Sequence, residues 1–524
     1  MKRNNLIYIA VIAAGMQFTG ACSDKFLEVP PKGSFLESSY YQNQQEAYNG
    51  LVAIYDMVGY QAGNYTTKVG AMDAASDDHW TGGASSSDIN VFQVMTRLDL
   101  LTPVTGPQEE LWKRGFSGIS RANILLSKLP DVPMDENLKK RYAAEAKVLR
   151  AYFYFDLVRL FKNVPLMTAP VSIEDAKNIT QAPPEEVYKQ IEQDLKDAIA
   201  DPNLPDVPER LSEGGRMGKG IAHALLGKVY LYEKKWTDAA TELKEVNGET
   251  PGQPSAKYNY NLLPNFADLW KAGDAFKFNS ESIFEISYTS TSGGNWSGGV
   301  ANTDGNILNI LCGPRSLVAT TAGNEASQYV AGWGFLIVSK QLEAAMHSDP
   351  RYAATILDMK SLVAAGIATY SESFDDTGFF LKKFVGRTAD ISKGGGNMEL
   401  NFPQNLYEIR LADTYLMEAE ARVKAGEAGG AGTRAYALLN AVRARVGLAA
   451  IAATFDNIFK ERRLELAGEG HRFFDLVRTG QAAAALNAIQ YRSFKENKNE
   501  ILPIPSLELV NTKLQQSKEW GGTL

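Results

Sequence analysis

The sequence predicts a mostly α-helical protein, in which tetratricopeptide-like helix hairpins form a scaffold and an irregular, loop-rich insertion with a few short strands interrupts it. Three observations predict this class. Apolar residues recur at helical spacing through most of residues 35–256 and again after residue 403. Residues 219–246 follow the spacing of a tetratricopeptide hairpin. Between residues 257 and 403 helical periodicity weakens, while glycine, serine, asparagine and aromatic residues become more frequent.

The composition is typical of a globular protein and excludes several classes of site. The chain has 524 residues, a formal net charge of -7 and 44% hydrophobic residues. A net negative charge argues against nucleic-acid binding, which requires an excess of Lys and Arg. Two cysteines exclude a disulfide framework, a Cys-based zinc finger and an iron–sulfur site. The four histidines lie far apart, so no HExxH zinc helix is present.

The first residues have the pattern of a lipoprotein signal peptide. A short basic start precedes an apolar stretch, residues 6–16, that is too short to span a membrane. Small residues then stand directly before Cys22. We therefore predict a signal peptide over residues 1–21, a lipidated Cys22 and a polar tether over residues 22–34, so that membrane contact occurs only through the lipid anchor. A plain secretory signal with an incidental cysteine is the alternative.

Helical patterns fill residues 35–256, the N-terminal part of the predicted scaffold. The first helical segment has apolar residues spaced four, three and four apart, on one helix face: Ala47, Leu51, Ile54 and Val58. Two long helices follow, over residues 108–129 and 136–161, and prolines after each of them end the helix. Residues 183–186 begin another helix, with prolines and acids where a helix N-terminus favours them.

The hairpin at residues 219–246 is the strongest indication of the fold. Leu226, Gly227 and Tyr230 fall in its first helix, and Ala239 and Leu243 fall in its second. A small residue in such a pair lets two antiparallel helices approach closely, while the large residues fill the groove between them.

The insertion, residues 257–403, differs from the scaffold on both sides. Residues 282–288 alternate like a short strand, and residues 290–306 form a polar Gly/Ser/Asn loop that holds Trp296. Residues 338–346 have a helical pattern. A helix pair at 405–446, split by a glycine-rich link, then begins the C-terminal part, residues 404–524, which completes the scaffold.

Catalytic patterns are weak throughout the chain. Glu418 and Glu420 are two residues apart on a helix and point to different sides, so they cannot flank one glycosidic bond. The alternating charges of residues 461–478 are interpreted as structural ion pairs, because nearby cations lower carboxylate pKa values and a general acid needs the opposite. No phosphate loop or GxSxG turn is present. We predict no enzyme activity, no metal and no cofactor, and we interpret Cys312 as a buried thiol.

Several segments together resemble one family. They occur in that family's order and span nearly the whole chain: CSDKFLEVPPKG, LWKRGFSGISRAN, AEAKVLRAYFYFDLVRLFKNVPL, GRMGKGIAHALLGKVYLYEKKW, RLADTYLMEAEARVKAG, ERRLELAGEGHRFFDLVRTG and LPIPSLELVNTKLQQ. In these segments the chain resembles the SusD/RagB family of surface glycan-binding lipoproteins in Bacteroidetes. The resemblance implies a helical, tetratricopeptide-containing fold and an outer-membrane location facing the cell exterior. It also implies a SusC-like TonB-dependent transporter as partner, with an oligosaccharide or, in some members, a peptide as ligand.

Aromatic residues in polar loops are the candidate ligand contacts. Trp80 and Trp296 stand among Gly, Ser, Thr, Asn and Asp, where little core is available to them. A sugar presents an apolar C–H face that stacks on an aromatic ring, while polar side chains take its hydroxyls. The resemblance places binding residues in such loops. The predicted site consists of Trp80 and Trp296 with Asp78, Asn295 and Trp333.

The sequence thus predicts a receptor that captures an oligosaccharide or polysaccharide and delivers it to a SusC-like transporter. Three alternatives stay open. In the first, the same architecture binds a peptide or glycoprotein instead of a glycan. In the second the chain is a helical glycoside hydrolase, and in the third it is a scaffold whose helices bind another protein and no small ligand.

Overall fold

A computed structural model describes residues 40–61, 65–298 and 303–524. The predicted signal peptide, Cys22 and tether lie outside the described residues. The helices up to residue 256 are α1 (Gln44–Asp56), α2 (Lys68–Ala75), α3 (Asn90–Arg97), α4 (Gln108–Lys128), α5 (Glu136–Phe161), α6 (Ile173–Ala176), α7 (Pro184–Ala200), α8 (Arg210–Glu213), α9 (Lys219–Tyr232) and α10 (Trp236–Asn247). Those that follow are α11 (Leu308–Leu311), α12 (Lys340–Met346), α13 (Tyr352–Thr355), α14 (Met359–Ala364), α15 (Leu411–Lys424), α16 (Arg434–Arg445), α17 (Phe455–Glu465), α18 (Arg472–Arg478) and α19 (Ala482–Leu486).

The helix starts have ordinary capping chemistry. Asn43, Thr67 and Asp135 accept hydrogen bonds from backbone N–H groups in the first turns of α1, α2 and α5. These side chains satisfy donors that a helix N-terminus otherwise leaves without partners. Pro184 begins α7, as predicted from the sequence.

The helix hairpins pack closely where the sequence has glycine. A Cβ atom on Gly227 of α9 would lie 2.6 Å from Cγ of Leu243 on α10, and one on Gly118 of α4 would lie 2.3 Å from the Phe153 ring on α5. Such distances leave no room for a side chain, so glycine lets these helices touch. The hairpin predicted over 219–246 is confirmed by α9 and α10, and the mostly helical class is confirmed with it.

The strands are short, and several of them pair with a strand that is distant in the sequence. They are β1 (His79–Gly82), β2 (Val164–Pro165), β3 (Gln181–Ala182), β4 (Ser282–Ile286), β5 (Arg315–Ala319), β6 (Phe335–Val338), β7 (Ile356–Asp358), β8 (Ala368–Ser371), β9 (Phe379–Leu381) and β10 (Leu406–Arg410). Within the described residues they form antiparallel pairs: β1 with β6, β2 with β3, β4 with β10, β5 with β8 and β7 with β9.

Two of these pairs join the predicted insertion to the scaffold. In β1 and β6, His79 lies opposite Val338 and Gly82 opposite Phe335. In β10 and β4, Leu406 lies opposite Ile286. One hydrophobic core includes Leu149 of α5, Phe335 of β6 and Leu416 of α15, so the insertion packs into the same core as the helices.

A buried network of ion pairs ties the C-terminal helices to β10 and to the insertion. Its cations and carboxylates are Arg351, Lys383, Arg410, Arg445, Glu281, Glu461, Glu465 and Glu469. Arg410 is at its centre: Nη1 lies 2.9 Å from Glu281 Oε1 and 2.5 Å from Glu465 Oε1, and Nε lies 2.8 Å from Glu469 Oε2. Glu461, Glu465 and Glu469 are thus engaged in ion pairs, as the structural interpretation of these charges predicts.

The buried carboxylates make the fold sensitive to acid. Burial by itself would raise the pKa of Glu465, but the guanidinium groups of Arg445, Arg410 and Arg351 outweigh burial and hold that pKa well below its usual value. Arg462 with Arg478, and Lys228 with Arg462, likewise outweigh burial and lower the pKa values of Asp475 and Asp413. A carboxylate whose pKa is lower in the folded chain stabilises the fold above its unfolded-state pKa, and this stability is lost as pH falls.

We therefore expect the free energy of unfolding to fall steeply below about pH 4, the unfolded-state pKa of Asp and Glu. Urea denaturation at a series of pH values measures this, with the midpoint urea concentration as the readout. A midpoint that stays constant from neutral pH to pH 3 would contradict the expectation.

Candidate ligand-binding platform

Three aromatic rings from distant segments meet at the surface. The rings of Trp296 and Trp333 stack with centroids 5.9 Å apart and planes 25° apart. Tyr65 meets Trp333 at 5.1 Å and Trp296 at 6.3 Å, nearly perpendicular to both. Trp296 is 40% exposed, whereas Tyr65 and Trp333 are half-buried against the core. We call these three side chains the platform.

The loop that carries Trp296 is held by two asparagines. The fully buried Asn401 accepts from Gly294 N at 3.0 Å and donates Nδ2 to Gly294 O at 2.8 Å. Oδ1 of Asn397 accepts from Trp296 N at 3.2 Å. These contacts fix the backbone on both sides of Asn295, so the indole ring of Trp296 is presented from a defined loop.

Asn295 shapes the same loop from within. Its Oδ1 accepts from the backbone N–H groups of Ser297 at 3.0 Å and Gly298 at 3.2 Å. This is the local turn that an asparagine side chain stabilises. The residue itself is exposed beside Trp296.

Trp333 is positioned by close backbone contacts. Its N–H donates to Ile310 O at 2.8 Å, and its carbonyl accepts from Arg315 Nη1 at 3.2 Å. A Cβ atom on the neighbouring Gly332 would lie 2.4 Å from Gly313 Cα, so only glycine permits this approach.

Tyr65 has backbone strain. Its φ is 59°, in the left-handed region, which for a residue with a side chain costs on the order of 1 kcal/mol. Two residues later, Thr67 caps α2 by accepting from Gly70 N. Strain of this kind persists where the surrounding structure holds it, and it is common at functional sites.

The loop that carries Trp296 is polar and has no charged residue. Residues 289–303 contain no Asp, Glu, Lys or Arg and are mostly Ser, Thr, Asn and Gly. Arg315 is the nearby cation, and among the described residues no carboxylate lies within 4.0 Å of its guanidinium group. The arrangement therefore offers ring faces for an apolar surface, with hydroxyl, amide and guanidinium groups for neutral oxygens. A ligand with flat C–H faces and many hydroxyl groups matches it.

Two residues of the predicted site lie elsewhere. Asp78 is fully buried, and its Oδ1 accepts from Arg463 Nε at 2.7 Å. Trp80 belongs to β1, with its ring 6.4 Å from Tyr491, edge to face, and 6.0 Å from the Arg492 guanidinium group. The expectation of a polar loop around Trp80 is wrong, because β6 supplies a partner strand that the local sequence does not show. The structure thus brings together Trp296, Trp333 and Asn295 and leaves Asp78 and Trp80 apart from them.

Sequence reasoning missed Tyr65. A usable signal was present in the sequence, since Tyr65 stands in Gly63-Asn64-Tyr65-Thr66-Thr67, a polar stretch similar in composition to the one around Trp296. Tyrosine is common, however, and the chain has 23 of them, so this pattern did not single it out.

The next features are the candidate metal ligands and the two glutamates, Glu418 and Glu420, that the sequence analysis considered for glycoside hydrolysis. Among the described residues, no group of three or more His, Cys, Asp or Glu is placed to hold a metal ion. Glu418 pairs with Arg422 and Arg434, and Glu420 pairs with Arg478.

Of the helices in the described ranges, none has the length and apolar character needed to cross a membrane. Cys312 is buried, and burial raises the pKa of its thiol.

Comparisons with known proteins agree with this fold. Residues 280–520 match the profile of the SusD family, and residues 25–231 match a profile described as starch-binding associating with outer membrane. A solved laminarin-binding SusD-like protein is 49% identical, with 91% of this chain and 99% of that chain covered and a TM-score of 0.85.

Two more distant relatives extend the comparison. Surface glycan-binding protein A from Bacteroides thetaiotaomicron, solved in complex with laminarihexaose, is 26% identical over 89% of this chain and 97% of that chain, with a TM-score of 0.77. A SusD-like protein from Bacteroides ovatus is 26% identical over 486 residues, which cover 90% of this chain and 82% of the relative. Nearly the whole chain is therefore similar to SusD-like proteins, and it belongs to the SusD/RagB family.

Proposed function

We propose that this protein is a non-catalytic cell-surface receptor that binds a laminarin-type glucan on the platform of Tyr65, Trp296 and Trp333. One observation carries the proposal: three aromatic rings cluster at an uncharged polar loop, in a chain 49% identical to a laminarin-binding protein. Glucose rings stack their C–H faces on aromatic planes, and a glucan has no charge for acidic or basic side chains to pair with. Asn295 and Arg315 lie beside the rings and would take hydroxyl groups.

Binding without turnover is part of the proposal. The relatives are named as binding proteins, and the carboxylates considered for glycoside hydrolysis are engaged by arginines. A carboxylate whose oxygens are engaged by arginine guanidinium groups is not placed to donate a proton to a leaving group.

The proposed location is the outer membrane, with the chain anchored through lipid on Cys22 and facing the cell exterior. The matched profile described as associating with outer membrane supports it. From there the protein would deliver the glucan to a SusC-like TonB-dependent transporter. Co-purification of a β-barrel transporter with the lipidated protein from detergent-solubilised outer membranes is the expected result. The matched control is the Cys22→Ala variant, which cannot be lipidated at that position. We expect this variant to be released from the membrane.

The binding function is tested with the folded chain lacking its lipid anchor. In affinity gels, laminarin is expected to retard migration strongly, and starch and xylan weakly or not at all. Calorimetry with laminarihexaose should give a dissociation constant in the micromolar to millimolar range, at least about tenfold below that for maltohexaose. A reducing-end assay on laminarin should show no turnover. Absence of laminarin retardation, or measurable hydrolysis, would overturn the proposal.

A further inference from the structure

Two cavities lie side by side on the face formed by α1 and β4. One has a volume of about 670 Å³ and the other about 550 Å³, both within the usual range of ligand sites. Both are lined by Gly214, Gly215, Arg216 and Glu285. We call the two together the groove. Its first half is bounded by residues 206–210 and 257–260, and its second half by α1, residues 59–61 and residues 303–304.

The second half of the groove ends beside the platform. Thr303 lines it and touches the Trp296 loop, because a Cβ atom on Gly294 would lie 2.6 Å from Thr303 Oγ1. Gly294 is two residues before Trp296. Gln61 lines the same end, and since it is four residues before Tyr65 their Cα atoms are at most about 15 Å apart. The second half of the groove therefore lies close to the platform in the fold.

The wall of the groove on α1 has apolar groups where a surface helix usually has polar ones. Tyr48 and Val52 are four residues apart, lie on the same helix face, and are 36% and 45% exposed. Tyr60 lines the wall beyond them. These positions supply ring and aliphatic surfaces next to the hydroxyl and carbonyl groups of residues 287 and 303.

The first half of the groove is lined by several charged residues, Asp206, Glu209, Arg210 and Lys257, whereas the charges in the second half are largely paired. Arg216 Nη1 pairs with Glu213 at 2.9 Å and Nη2 with Glu145 at 2.5 Å. Asp56 pairs with Arg121 at 2.8 Å. Burial raises the pKa of Glu285 to about 7, which reduces its negative charge near neutral pH. The second half of the groove thus has ring and aliphatic surfaces among neutral polar groups and paired charges, and it suits an uncharged ligand.

These observations point to a second glycan subsite: we infer that the second half of the groove takes the part of a glucan chain that extends past the platform. The inference rests on the proposed function and adds a preference for long chains. A ligand bound at the platform holds its next sugars close to the groove, so weak contacts there add to affinity without a separate association step.

The test compares ligand lengths by calorimetry: laminaritriose, laminarihexaose and laminarin polymer. The informative variant is Val52→Lys, which places a long charged side chain at an exposed position in the groove and keeps a good helix former in α1. The matched control is Val363→Lys on α14, also helical, 43% exposed and outside the groove.

Wild-type protein and the Val363→Lys variant are expected to bind the polymer about tenfold more tightly, per chain, than laminaritriose. The Val52→Lys variant should lose most of this gain and keep the wild-type affinity for laminaritriose. The inference fails if wild-type affinity does not rise with chain length, or if Val52→Lys binds the polymer as wild type does. Failure of the proposed function is a different result, namely no binding of any laminari-oligosaccharide by the wild-type protein.

Discussion

A Trp296→Ala/Trp333→Ala double variant is expected to bind laminarin about 100-fold more weakly than the wild-type protein. The two indole rings lie 5.9 Å apart and form most of the aromatic surface of the platform, so the double variant removes both. Loss of one ring–sugar stacking contact costs about 1–2 kcal/mol, and about 1.4 kcal/mol corresponds to a tenfold change in dissociation constant. Calorimetry with laminarihexaose, supported by affinity gels, measures the loss.

The fold of this variant is expected to survive. Trp296 is 40% exposed and its loop is held by Asn397 and Asn401, while the half-buried Trp333 is held through its backbone by Ile310 and Arg315. Circular dichroism and the thermal midpoint check this. Trp80→Ala is the informative comparison, since Trp80 lies in β1 against Tyr491 and apart from the platform. Its laminarin affinity should equal that of wild type. If Trp80→Ala weakened binding as much as the double variant, the platform would not be the main site.

Replacement of Arg410 by methionine is expected to lower the free energy of unfolding by about 3–5 kcal/mol. The side chain is 1% exposed, and its guanidinium group lies among Glu281, Glu465 and Glu469. Methionine keeps apolar volume but removes the donors, so three buried carboxylates lose their central cation. Lys383, Arg445 and Arg351 stay nearby and limit the loss. The midpoint of urea denaturation measures the change.

The matched control for this change is Arg97→Met. Arg97 and its partner Asp99 are 3.7 Å apart, and their side chains are 45% and 38% exposed. An exposed pair of this kind contributes roughly 0–1 kcal/mol. The control should therefore unfold close to the wild-type midpoint. Equal midpoints for Arg410→Met and wild type would show that the network adds no stability.

The helical scaffold was predictable because its signals are local. The apolar spacing of Ala47, Leu51 and Ile54 depends only on residues within one or two turns, and the structure has them buried in α1. The glycine in α9 is informative for a similar reason, since Gly227 and Leu243 lie in consecutive helices joined by a short turn. Periodicity and short connections are visible in the printed sequence.

The candidate site was predictable only in part. Trp296 and Asn295 stand in a polar loop that the sequence shows directly, and the structure has both exposed. Asp78 has equally polar neighbours in the sequence, yet it is buried, because Arg463 from α17 reaches it. Its environment depends on a residue from the other end of the chain, and local composition does not report such a partner.

The sequence by itself determined the helices, the hairpin spacing, the loop that carries Trp296 and the family resemblance, since each of these depends on residues close together in the chain. Only the tertiary structure decided that Tyr65 and Trp333 join Trp296 and that Trp80 becomes part of a strand. The physical reason is that the pairing of β1 with β6, the ion pairs of Asp77 and Asp78 with the C-terminal helices, and the contact of Gly313 with Gly332 all join distant segments. Such contacts form when a shared core brings those segments together.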